Sequence, residues 1–131
     1  DRAVALTPQQ AGFYSNRGRT WLLKGDLERA LADLNPAISL NRNLDEAWVN
    51  RGVVWFLKED FAKANADFDE ALKLNPRLCD TYCSRGAALL AQDKLAEAEA
   101  DFARCRALGG TPKPNAEKLP LEMEGRRRRQ Q

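Results

Sequence analysis

The sequence predicts an all-α fold of helix pairs repeated in tandem. Three observations carry this: residues that return at a fixed stride, apolar stripes at helical spacing, and polar or proline-containing breaks between the stripes. Gly18, Gly52 and Gly86 stand 34 apart, and each follows an arginine: Arg17, Arg51 and Arg85. Ala30, Ala64 and Ala98 keep the same stride. So do Leu34, Phe68 and Phe102; Tyr14, Trp48 and Tyr82; and Asp33, Asp67 and Asp101.

Each copy divides into two helices. In the first, the pair turns at Lys24-Gly25-Asp26. In the second, Trp48, Arg51, Gly52 and Trp55 form one stripe, Lys58-Glu59-Asp60 the turn, and Phe61, Ala64, Phe68, Ala71 and Leu72 a second stripe. Asn75-Pro76 ends it, because proline disfavours helix in the residue before it. The third turns at Gln92-Asp93-Lys94. A glycine inside a helix costs about 1 kcal/mol relative to alanine. Its recurrence implies close helix approach, with Ala30, Ala64 and Ala98 as the expected facing partners. The expected division is residues 11–44, 45–78 and 79–112 for the three copies. Residues 1–10 read as the end of a preceding repeat's helix, since Ala3, Leu6 and Pro8 precede Ala37, Leu40 and Arg42 by one stride. The natural chain is therefore expected to be longer on that side, where it begins with Asp1 rather than Met. Residues 113–131 read as a basic tail, with a short capping helix followed by disorder.

The second copy carries a recognisable signature. Trp48-x2-Arg51-Gly52-x2-Trp55, then Ala64-x3-Phe68, Ala71 and Pro76, resembles the tetratricopeptide repeat family, with Arg51 where that family usually has leucine. Arg42 and Gly110 stand where the first and third copies would have the final proline. The resemblance covers Ala11 to Pro112. It implies a right-handed superhelical solenoid of antiparallel helix pairs, in which neighbouring copies complete one core. It also implies that the first helix of each pair lines a concave groove. Carried onto this sequence, the residues expected to meet a peptide or partner segment are Asn16, Arg19 and Leu23 in the first copy. Glu46, Val49, Asn50, Val53 and Leu57 follow in the second, and Cys83 and Ser84 in the third. Ser15, Leu22, Phe56, Ala87 and Leu90 fall on related columns, with Leu22, Phe56 and Leu90 equally placed for the core. Well-known members clamp a C-terminal carboxylate with Lys, Asn and Arg. Here only Asn50 matches that clamp; Ser15, Arg19, Asp80 and Ser84 stand at its other positions. Chaperone-tail binding is not expected.

Every copy also pairs an arginine of the first helix with an aspartate of the second, Arg17 with Asp33, Arg51 with Asp67 and Arg85 with Asp101. Two readings are open: solvated charges that recur, or a ladder of partly buried ion pairs.

Composition narrows the function. The 131 residues are 44% apolar and 31% charged, as in a single soluble domain. No apolar run approaches the roughly 20 residues of a membrane-spanning helix. Net charge is +2, with the excess in the tail and its Arg126–Arg129 run. That run could touch nucleic acid, but the aromatics follow the repeat columns and leave no stacking surface. With no histidine and three cysteines, no cofactor or metal site is expected. Cys105 shares the small-residue column of Ala37 and Ala71. The cysteines are expected to be free thiols, which favours a reducing, cytoplasmic compartment. No nucleophile motif, phosphate loop or convergent carboxylate pair stands out. The expected function is a non-catalytic protein-protein interaction scaffold for a peptide or partner segment. The alternative is a structural or self-association module in a longer array.

Overall fold

A computed structural model describes residues 8–109. It holds six helices and, among the described residues, no strand: α1 Pro8–Leu23, α2 Leu27–Leu40, α3 Asp45–Leu57, α4 Phe61–Leu74, α5 Cys79–Ala91 and α6 Leu95–Ala107. They associate as α1 with α2, α3 with α4, and α5 with α6. The fold class is the all-α helical repeat predicted above. α1 is described from Pro8 onward, so residues 8–10 belong to it. Residues 1–7 and the proposed cap and basic tail at 113–131 lie outside the described residues.

Local chemistry sets the helix ends. Asp26 and Asp60 cap α2 and α4, their carboxylates accepting from the backbone N–H groups of Arg29 and Lys63 at 3.1 and 3.2 Å. At the other end, Asn41 and Asn75 leave the helix in extended conformation. The turn inside each pair needs one residue in left-handed backbone, filled by Gly25, Glu59 and Asp93 at φ of 83, 63 and 64°. α2 runs through Pro36 without stopping. Proline removes the donor that would reach Ala32, whose exposed position leaves its carbonyl to water.

The chain divides between Asn75 and Pro76 into two compact units. In the first, Val54 of α3 packs with Ala30 and Leu34 of α2, joined by Trp21, Leu22, Leu27 and Leu31. The second helix pair is thereby seated on the first. In the other unit, Leu89 and Leu90 of α5 pack with Ala98 and Phe102 of α6.

The glycines allow this closeness, and in each pair a larger side chain comes nearer than the expected alanine. A β-carbon on Gly18 would lie 2.7 Å from the Leu34 side chain, and one on Gly52 2.6 Å from the Phe68 ring. On Gly86 it would lie 3.0 Å from the Phe102 ring. Leu34, Phe68 and Phe102 therefore press on the bare helix. The alanines contribute their backbone, through the Ala30 and Ala98 carbonyl oxygens at 3.3 and 3.2 Å.

The recurring charges are paired. Arg17 donates Nε and Nη2 to the two Asp33 oxygens at 2.8 and 2.7 Å. Arg51 does the same to Asp67 at 2.8 and 2.9 Å, and Arg85 to Asp101 at 2.8 and 2.9 Å. All three aspartates are buried. Such planar two-point forks are the strong form of the ion pair. Each guanidinium also lies over the aromatic residue of its own helix: Arg17 5.4 Å from Tyr14, Arg51 5.1 Å from Trp48 and Arg85 5.6 Å from Tyr82. Hydrogen bonding to Asp33 raises the Arg17 pKa beyond its already high value. Arg51 has a further role, donating Nη1 to Asn35 of α2 at 3.1 Å and so tying the first two pairs together.

The expectation of three free thiols is corrected. Cys83 of α5 and Cys105 of α6 form a disulfide, with Cα atoms 5.6 Å apart. That separation is within the usual range for such a bridge. Their stride places one cysteine on each helix where the pair crosses. The odd count leaves Cys79 as the free thiol.

Candidate functional site

α1 and α3 touch within the first unit. Each carries a stripe at i, i+3 and i+7 that faces away from its glycine-lined contact: Asn16, Arg19 and Leu23 on α1, and Asn50, Val53 and Leu57 on α3. The stripes match column for column at the 34-residue stride. Both follow from the repeat. The glycine column commits one side of each first helix to its partner, and the stripe falls on the other side.

Leu23 and Leu57 project at the ends of their helices, 77% and 53% exposed. Asn16 and Arg19 are exposed, and Asn50 and Val53 half-buried. No hydrogen bond ties the Asn16 or Asn50 side-chain amide among the described residues. Both amides thus have donor and acceptor capacity to offer a ligand. Glu46 is exposed in the first turn of α3, and Val49 is half-buried.

Other expected members fall elsewhere. Cys83 is 5% exposed and committed to its disulfide, so it is not on an outward surface. Ser84, beside it on α5, is half-buried and donates its hydroxyl to the Asp80 carbonyl at 3.1 Å. Ser15, Ala87 and Leu90 are buried. Leu22 packs on the first unit's core, and the Phe56 ring meets Phe61 edge-on with centroids 5.4 Å apart. Burial of these columns follows from the width of the helix contact, which takes in more of each first helix than the repeat signature alone marks.

The aromatic column has a second use, which its helical stripe does not reveal. The Trp48 indole donates to the Arg42 carbonyl and the Tyr82 hydroxyl to the Pro76 carbonyl, both at 2.9 Å. Each tethers the loop six residues before it, fixing where its helix begins. The signal was legible, since Arg42 and Pro76 are themselves one stride apart.

Comparison with known proteins agrees with this architecture. Residues 45–78 match the tetratricopeptide repeat family model. Tetratricopeptide repeat protein 36 of Xenopus tropicalis is 46% identical over 39 residues, 30% of this chain and 19% of that protein's length. The chain therefore spans about a fifth of that relative. The first repeat domain of Spaghetti (RPAP3), solved with the HSP90 peptide SRMEEVD, superposes with a TM-score of 0.78 at 25% identity, covering 92% of this chain and 94% of that one. The second domain of the same protein, bound to the same peptide, gives 0.75 at 26% identity over 77% of this chain and 94% of that one. Residues 45–78 are thus a tetratricopeptide repeat by sequence, and the fold is similar to that of solved tetratricopeptide repeat domains.

Proposed function

We propose that the chain is a non-catalytic protein-interaction module that holds an extended peptide segment across the outward stripes of α1 and α3. The observation that carries this is the register of Asn16 with Asn50 and of Leu23 with Leu57, two uncommitted amides and two exposed leucines on touching helices. The amides suit the backbone of an extended segment. The leucines and Val53 suit its apolar side chains. Arg19 and Glu46 at the rim favour a partner with charges of both signs. The similar Spaghetti domains hold a peptide, which supports the same use of the fold here.

The end chemistry differs from a carboxylate clamp. Ser15 is buried, and Asp80 places a negative charge where a clamp requires a positive one. An internal segment fits better than a free C-terminus. Panning a displayed library of linear peptides against the chain tests this. Peptides of micromolar affinity are expected. Asn50→Ala should weaken them about tenfold, the value of one hydrogen bond of roughly 1.4 kcal/mol. Failure to select any peptide, or binding indifferent to Asn50→Ala combined with Leu57→Ala, contradicts the reading. Micromolar binding of SRMEEVD through its free carboxylate contradicts the preference for an internal segment.

A further inference from the structure

We propose that the Cys83–Cys105 bond is a redox-operated clasp on the third helix pair, opened by a dithiol reductant and closed by a small-molecule disulfide. The two cysteines are 22 apart in sequence, one on each helix. The corresponding positions are Ser15 and Ala37 in the first copy and Val49 and Ala71 in the second, which cannot cross-link. The same contact column is thus non-covalent in two helix pairs and covalent in one. Redox sensitivity is thereby confined to α5 and α6, and the other pairs serve as an internal reference.

The exchange runs as ordinary thiol–disulfide chemistry. One thiolate of the reductant attacks Sγ of Cys83, the less deeply buried residue of the two, and Cys105 leaves as a thiolate. The second thiol of the reductant then attacks the mixed disulfide, releasing Cys83 and forming the reductant's own disulfide. Two electrons pass to the protein, and the reductant's two protons end on Cys83 and Cys105. A small-molecule disulfide such as oxidised glutathione reverses these steps and leaves as two thiols. Cys83 is 5% and Cys105 0% exposed, so attack requires the pair to part locally. The bond therefore reports on, and restrains, the opening of α5 from α6.

The test uses the full chain, equilibrated with oxidised glutathione and then with dithiothreitol. Labelling after unfolding should find one thiol, Cys79, before reduction and three after it. Amide hydrogen exchange in α5 and α6 should accelerate on the order of a hundredfold on reduction, the effect of releasing a loop of this size. Exchange in α1–α4 should not change. Cys105→Ala, which restores the residue of the other two copies, should exchange like the reduced chain and ignore the reductant. Cys79→Ala should keep the full response. Three reactive thiols in the oxidised chain, unchanged exchange in α5 and α6, or loss of the response in Cys79→Ala would each overturn the proposal. The wild-type measurements decide the matter even if a variant fails to fold, and none depends on a peptide ligand.

Discussion

The second and third helix pairs use the same columns and close by different means. In α3–α4 the contact is a jigsaw. Phe68 is fully buried, and its ring fills the space left by Gly52. In α5–α6 the corresponding Phe102 is half-buried and stands farther from Gly86, while a disulfide joins the helices. The arginine–aspartate fork is present in both with nearly identical geometry. The comparison teaches that the repeat fixes the helix spacing, whereas the means of closure can pass from aromatic packing to a covalent bond.

The largest effect should separate the two aromatics. Phe68→Ala is expected to cost about 3–5 kcal/mol, the range for emptying a buried aromatic site. Phe102→Ala should cost about half as much, because part of its ring already meets water and the disulfide remains. Denaturant melts of the oxidised chain, followed by circular dichroism, would show this. Equal losses would break the comparison.

The ion-pair forks come next. Arg51→Leu leaves Asp67 buried without its counter-ion, at an expected cost of about 3 kcal/mol, while Arg51→Leu with Asp67→Leu should cost less than the single change. Arg85 and Asp101 should behave alike, since the two arginines are similarly covered, 21% and 18% exposed. Arg17, at 48%, should show a weaker effect. Additive losses in these double-mutant cycles would contradict direct coupling.

Smaller changes should follow from the glycines. Gly52→Ala gains helix propensity but drives a β-carbon into the ring of Phe68, for a net loss of about 2 kcal/mol. At Gly86 the overlap is milder and Phe102 has room to move, so Gly86→Ala should stay within roughly 0.5 kcal/mol of neutral. The turns should show the smallest and most equal effects. Glu59→Gly and Asp93→Gly each relieve a left-handed backbone and should stabilise by about 0.5–1 kcal/mol. Thermal melts of the two variants should rise together.

Much of this was legible in the sequence because the stride makes each column a repeated observation. Three glycines, three arginines and three aspartates in step point to one geometry. The structure settles the arginines and aspartates as forks rather than as solvated charges. Features that break the stride were less legible. Cys83 and Cys105 occur in one copy, and an odd cysteine count concealed their pairing. The residue pressed on each glycine depends on side-chain reach rather than on column order, which is why Phe68 and not Ala64 fills the gap at Gly52. The candidate face was legible as a set of columns. How wide the helix contact is decided which columns stayed outside, and Ser15 and Leu90 fell within it.

The binding face is tested most directly by amide chemical-shift mapping with a peptide obtained by panning. The largest shifts are expected at Asn16, Arg19 and Leu23 on α1 and at Asn50, Val53 and Leu57 on α3, with the exposed Ala32 and Ala66 of α2 and α4 unmoved. Shifts concentrated on α2 and α4, with those two stripes silent, would contradict the account.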